Sequence, residues 1–214
     1  ELLAVIRPKR IEIIPTGTDV ERFHPGVSGT AFREKYGLKG RVVASVGRLS
    51  YEKNIDTVIK AMKNIDAMLL IVGDGPAGPD LRKLAEDLGM EDRTVFTGYI
   101  ENSHIIYAYA ASDMLVSASR FETQGLSVLE AMAAGLPVAC CDARAFHDII
   151  RDGENGFLFS GEEDCADAIE RCLGASEDVK RRSLETALEN SEEKSAELLE
   201  KLYSELIETG RGLS

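Results

Sequence analysis

Met68-Leu69-Leu70-Ile71-Val72 is followed at once by Gly73-Asp74-Gly75-Pro76. Five apolar residues without alternation describe a strand buried on both faces, and the glycine-rich stretch behind it is a tight turn. A strand covered on both sides belongs to a sheet with helices on each face. The flanking sequence repeats the theme. Short apolar, β-branched runs at 11–14, 41–46, 67–72, 94–97, 114–117, 137–141 and 156–159 alternate with helix-like stretches at 29–37, 54–64, 79–88, 102–111, 125–134 and 144–151.

Strands separated by segments of helical length predict right-handed βαβ crossovers. The fold class is therefore α/β, a Rossmann-like parallel sheet with helices on both faces. After Phe159 the pattern turns helical, at 162–173, 177–188 and 191–208. The reading is one Rossmann-like domain over 1–190, followed by a C-terminal helix and tail over 191–214 whose last residues, Thr209–Ser214, are expected to fray.

The 214 residues are 44% hydrophobic and 29% charged, the balance of a folded globular chain. No apolar run reaches the ~20 residues of a membrane-spanning helix, and Glu1–Arg7 lacks the basic start of a signal peptide. The formal net charge of −12 argues against nucleic-acid binding by the whole surface. The excess is uneven. Residues 152–214 hold 17 acidic and 7 basic side chains, a balance of −10, which leaves −2 for the rest. The acidic third reads as solvated helix faces, and the first two thirds can still hold an anion.

Ligands of open α/β sheets sit beyond the carboxyl ends of the strands. Four loops are therefore of interest: 47–54, 73–79, 98–102 and 117–125. In the first, Gly47 permits a sharp turn, and Arg48 and Lys53 can converge on a phosphate near a helix N-terminus. Two ordinary surface cations fit the same spacing. Gly73-Asp74-Gly75 is not a dinucleotide fingerprint and reads as a turn.

The most informative loop is Glu122-Thr123-Gln124-Gly125-Leu126-Ser127-Val128-Leu129-Glu130. Gly125 can open a helix with an inward face of Leu126, Leu129, Met132 and Ala133, closed by Gly135-Leu136-Pro137. Glu122 precedes the helix and Glu130 lies more than one turn inside it. Two carboxylates so placed can face one crevice at different depths, with an anion between them at the N-terminal amides. That suits a polyhydroxylated ligand bridged by phosphate, a sugar nucleotide. An N-terminal acid favoured by the helix dipole plus a surface glutamate is the plainer alternative.

The whole segment from Phe121 to Val138, with seven residues between Glu122 and Glu130, resembles the signature of retaining family-4 glycosyltransferases, the glycosyl transferases group 1. Five further segments agree in order: Ile14–Pro25, Val46-Gly47-Arg48 with Lys53-Asn54, Ile71–Pro76, Phe96–Ile100 and Arg151–Leu158. The resemblance implies the GT-B architecture, two Rossmann-like domains with the active site between them. This chain is similar to the C-terminal, donor-binding domain.

The resemblance places Arg48 and Lys53 on the diphosphate of a UDP- or GDP-sugar, beside Gly47, and Glu130 on the ribose hydroxyls. It places Glu122 on the transferred sugar and backbone groups of Gln124, Gly125, Leu126 and Ser127 on sugar and phosphate. The base would lie near Tyr99 and Ile100. Catalysis would fall to Glu122, Arg48 and Lys53, with no metal and no cofactor beyond the donor substrate. The acceptor would bind an N-terminal domain of the same protein. Membrane contact would come through that domain, at the inner face of a cytoplasmic membrane. Gln124 departs from the aromatic residue that many members carry there, and Glu-Thr-Gln-Gly resembles enzymes acting on diacylglycerol lipids. A binding module without transfer activity, and a sugar-nucleotide epimerase or phosphorylase of similar fold, are the alternative classes.

Cys140, Cys141, Cys165 and Cys172 form no C-x-x-C and read as buried, reduced thiols of an intracellular protein. His24, His104 and His147 read as structural or surface residues. The helix at 191–208 carries Leu198, Leu199, Leu202, Leu206 and Ile207 in an amphipathic row, which predicts weak self-association.

Overall fold

The computed structural model describes residues 11–211. Six strands form one parallel sheet: β1 (Val42–Val46), β2 (Met68–Val72), β3 (Thr94–Gly98), β4 (Met114–Ser117), β5 (Val138–Cys141) and β6 (Phe157–Phe159). Their spatial order is β3-β2-β1-β4-β5-β6. The chain runs outward from β1 to β3, returns to the centre, and runs outward again from β4 to β6. The reversal between β1 and β4 is the topological switch point at which the helices on either side part and leave a crevice.

The helices are α1 (Thr30–Tyr36), α2 (Ile55–Ala61), α3 (Gly78–Asp87), α4 (Ile105–Ala110), α5 (Leu126–Ala133), α6 (Arg144–His147), α7 (Glu162–Leu173), α8 (Glu177–Glu189) and α9 (Glu192–Arg211). The fold is Rossmann-like, as the alternation of runs predicts. Val43, Leu69, Ile71 and Leu115 point into the larger core with α2 and α7, while Val42, Leu70 and Val72 face a second cluster with Phe32 and Ala108. Successive residues of β2 thus feed opposite cores, which is why its sequence shows no alternation.

Two expectations fail. Residues 11–14 form no strand, and Ile13 is 89% exposed. The Ile-Glu-Ile-Ile pattern is that of a strand, but a strand needs a ladder partner. The segment lies beside α9 instead, where Ile13 and Ile14 share a groove with Leu198 and Leu202. The helix expected over 144–151 stops at His147. There the buried Asn155 side chain accepts from Arg151 N at 2.7 Å and donates to Ile149 O at 2.9 Å, holding the chain in a turn. A second donation, to Thr186 Oγ1 at 2.8 Å, ties that turn to α8.

The junction with α9 is stitched by backbone bonds. Thr18 N donates to Asn190 O at 2.9 Å and Glu192 N donates to Thr18 O at 3.0 Å, with Thr18 and Ser191 buried. No helix among the described residues is long and apolar enough to cross a membrane.

Candidate functional site

All strands are parallel, so their carboxyl ends and the loops of interest share one edge of the sheet. At the switch point, Gly47 and Arg48 leave β1 while Ser117, Ala118 and Ser119 leave β4, and with Lys53 and Glu122 they line one crevice. Lys53 ends a single 3-10 turn, Tyr51–Lys53, ahead of α2. Asn54 then takes the left-handed conformation (φ 47°), and its Nδ2 donates to Ala118 O at 3.3 Å. That bond fixes the lysine loop to the end of β4.

Lys53 Nζ donates to Glu122 Oε1 at 2.6 Å, with both side chains partly buried. Sequence reasoning assigns these two groups to different parts of one ligand, and the structure joins them directly. Arg48 is exposed, and its guanidinium forms no ion pair with the described residues. The site therefore presents one exposed cation without a close ion pair among the described residues and one cation neutralised by a carboxylate.

The glycine-rich turn after β2 has more than a turning role. Leu49 N donates to Asp74 O at 3.0 Å and Ala77 N to Leu49 O at 2.9 Å, so this turn is the bed on which loop 47–49 rests. A Cβ at Gly73 would collide with Gly47 O. The signal was present in the sequence as Gly-x-Gly, but the contact is between loops far apart in the chain.

Gly125 caps α5 in the left-handed conformation (φ 62°), and a Cβ there would lie 2.9 Å from Phe146 Cε1. The turn aims the unpaired first-turn amides of α5, at Leu126 and Ser127, toward the carboxyl edge. Leu129, Met132 and Ala133 are buried as expected, whereas Leu126 is exposed. Leu126 instead joins Thr123 and Gln124 in a groove completed by Pro15, Ala145 and Asp148.

Glu130 does not line the crevice that holds Glu122. Its Oε2 accepts from Tyr109 Oη at 2.8 Å, and burial raises its pKa, opposed by that hydrogen bond and by the charge of Arg22. Tyr109 is fully buried, and burial, then the Glu130 charge, holds its phenol well above its ordinary pKa. Tyr109 and Arg22 were not singled out by sequence reasoning, because an apolar-face tyrosine and a loop arginine give no pattern of their own. Tyr99 is 76% exposed after β3, and with Ile100 it borders a separate hollow against Phe32 and Tyr36 of α1. The predicted residues are thus divided among three depressions, with Gly47, Arg48, Lys53 and Glu122 in one, Tyr99 and Ile100 in another and Gln124 and Leu126 in a third, whereas Gly125, Ser127 and Glu130 line none of them.

The four cysteines are free and buried, and burial pushes Cys165 up to about 12. Such thiols are protonated and inert at neutral pH. His147 pairs with Asp142 and His24 Nδ1 accepts from Gly26 N, with no nucleophile drawn into either contact. No group of three or more His, Cys, Asp and Glu side chains able to hold a metal is present among the described residues.

Comparison with known proteins agrees with this fold. The family model of glycosyl transferases group 1 matches residues 30–190. The chain is 35% identical over 187 residues to the alpha-monoglucosyldiacylglycerol synthase of Streptococcus pneumoniae, covering 82% of this chain and 42% of that protein. It is 31% identical over 190 residues to the D-inositol 3-phosphate glycosyltransferase of Nocardia farcinica, again 82% of this chain and 42% of the relative. It therefore spans less than half the length of these relatives. Among solved structures, Anabaena HepE in complex with UDP and glucose matches with a TM-score of 0.82 at 23% identity, over 90% of this chain and 56% of that one. The C-terminal domain of a group 1 glycosyl transferase, LpcC of Francisella tularensis, matches with a TM-score of 0.71 at 24% identity, over 80% of this chain and 97% of that domain. On the family match and these identities, the chain belongs to the glycosyl transferases group 1.

Proposed function

We propose that this chain is the donor-binding half of a retaining glycosyltransferase that takes a sugar from a UDP- or GDP-sugar. The observation that carries the reading is the switch-point crevice, where Arg48, Lys53 and Glu122 meet beside the open N-terminus of α5. Arg48 and Lys53 bind the diphosphate, and with the α5 amides they stabilise the negative charge that grows on it as the glycosidic bond breaks. Neither a metal nor another cofactor enters that scheme. Glu122 accepts hydrogen bonds from hydroxyls of the departing sugar, with the backbone from Gln124 to Ser127 beside it. Glu130 accepts from the ribose, and the base rests at Tyr99 and Ile100.

In this reading residues 1–190 form the nucleotide-sugar domain, and a second, N-terminal domain holds a lipid or glycan acceptor. The Glu-Thr-Gln-Gly form at 122–125 and the 35% identity to a diacylglycerol glucosyl enzyme support a lipid acceptor at a cytoplasmic membrane face. The chain alone then binds donor without turning it over. Calorimetry with UDP, GDP and their sugars tests the binding half of the proposal. Joining the chain to its acceptor domain and reading the anomeric configuration of the product tests the rest. A product of inverted configuration, or no nucleotide binding by the folded chain, would overturn it.

A further inference from the structure

Glu130 poses a physical problem. A carboxylate that accepts from vicinal ribose hydroxyls must be ionised and held at a fixed angle, yet this one is partly buried on α5, where desolvation disfavours the charge. Its Oε2 takes the Tyr109 hydroxyl, and no described residue donates to Oε1, which is the atom left for a ligand. The loop ahead of α1 supplies an opposite charge. Arg22 is anchored there by its backbone N to Asp19 Oδ1 at 3.0 Å, and its guanidinium lies 4.7 Å from the centroid of the Phe23 ring. Phe23 meets Tyr109 edge-on at 5.8 Å, and Tyr109 meets Glu130. The chain Arg22–Phe23–Tyr109–Glu130 thus stacks a loop residue onto the helix of the site. Arg22 Nη2 is buried and has no hydrogen-bond partner among the described residues. A buried guanidinium nitrogen without a partner is unfavourable unless a nearby negative charge balances it, and the Glu130 carboxylate is within reach of the Arg22 charge.

We propose that Tyr109 and Arg22 are positioning residues for Glu130, Tyr109 fixing its rotamer through Oε2 so that Oε1 faces the ribose, and Arg22 setting a buried opposite charge behind the Phe23 and Tyr109 rings. The inference rests on the reading of Glu130 as the ribose-binding group. Tyr109 has one hydroxyl proton and two acceptors in reach, Glu130 Oε2 at 2.8 Å and Ser127 O at 3.2 Å. The shorter bond goes to the carboxylate while it is charged.

The test is the ratio of affinities for UDP and 2′,3′-dideoxy-UDP, or the GDP pair if guanine is preferred, measured by calorimetry on the chain. Arg22→Met is expected to reduce that ratio about two- to fivefold, through weaker UDP binding and unchanged dideoxy binding, because the carboxylate that meets the ribose loses the opposite charge behind it. Arg22→Lys keeps the cation and should retain most of the ratio. Tyr109→Phe, which removes one oxygen from a filled core, is expected to reduce it about two- to fivefold. In a Glu130→Gln background Arg22→Met should have no further effect. Should Arg22→Met fail to fold, the Lys and Phe variants carry the test. Equal weakening of both ligands, or an unchanged ratio in the folded variants, would overturn the proposal while Glu130→Gln still abolished the ratio. A ratio untouched by Glu130→Gln itself would overturn the ribose reading and this proposal with it.

Discussion

Lys53 and Glu122, 69 positions apart in the chain, form an ion pair of 2.6 Å across the switch point between β1 and β4. The pair makes the two groups interdependent. In the proposed reading, removing Lys53 takes away a phosphate ligand and also leaves the Glu122 carboxylate unpaired beside the phosphate. Removing the charge of Glu122 frees Lys53. Lys53→Ala and Arg48→Ala should each weaken a nucleoside diphosphate about tenfold or more while leaving the nucleoside little changed, since a charge-assisted bond is worth roughly 1.5–3 kcal/mol. Glu122→Gln should hold or improve affinity for the nucleoside diphosphate and lower it for the nucleotide sugar. Adding it to Lys53→Ala should recover part of the loss. Calorimetry on the three ligands reads these outcomes, and equal losses for nucleoside and diphosphate would place the cations elsewhere.

Glu130 gives the site a pH dependence of definite sign. Burial raises its folded pKa against the opposing Tyr109 bond and Arg22 charge, so the folded chain binds its proton more readily than the unfolded chain. Stability from this group therefore grows as pH falls through the raised value and is lost as pH rises through it. Ribose binding, if Glu130 accepts from it as proposed, runs the other way, because the ionised carboxylate is the stronger acceptor. Glu130→Gln should thus melt at or above the parent temperature at neutral pH and bind the nucleoside diphosphate about tenfold more weakly. The preference for ribose over dideoxyribose should fade on acidification in the parent and stay flat in the variant. A variant that melts well below the parent at neutral pH would contradict the direction of the shift.

What the sequence made legible follows from how each feature is encoded. Met68–Val72 is read by both cores, so its uniform apolarity marked a central strand, and Gly125 announced the start of α5 because few residues tolerate its φ of 62°. The pairing of Lys53 with Glu122 had no local signal, since loops on β1 and β4 are adjacent only once the strand order is known. Ile11–Ile14 misled for the converse reason. Its pattern is local, and whether a ladder partner exists is not. Arg22 and Tyr109 were invisible on the same principle, being ordinary residues whose meaning comes from what they touch.

The row on α9 leads to a prediction about association. Leu198, Leu199, Leu206 and Ile207 are all exposed, Leu198 to 50%, alongside Tyr203. An exposed apolar row of this length favours self-association at high concentration. Cutting the chain before Ser191 would also break the Thr18 bonds that hold the start of the helix, so the informative truncation ends at Glu197. It should sediment as a monomer with unchanged nucleotide affinity, while the parent shows a concentration-dependent shift. A parent that stays monomeric, with α9 protected from hydrogen exchange, would show that the helix packs on its own domain.

Gly125 and Gly37 separate strain from collision. Both sit at helix ends with positive φ, 62° and 65°. Alanine at either meets the left-handed conformation, worth about 1–2 kcal/mol. At Gly37 the added Cβ has nothing within 4 Å, whereas at Gly125 it lies 2.9 Å from Phe146, one of the largest fully buried side chains. Phe146 cannot yield without opening the core, so the strain must move the 122–127 loop. Gly37→Ala should therefore lower the melting temperature by about 2–8 °C and leave nucleotide-sugar affinity intact. Gly125→Ala should lower it further and weaken nucleotide-sugar binding at least tenfold, since the α5 amides and Glu122 shift together. Thermal melts paired with calorimetry distinguish the two. Intact affinity in a folded Gly125→Ala chain would mean that the loop geometry set by this glycine is not what the ligand reads.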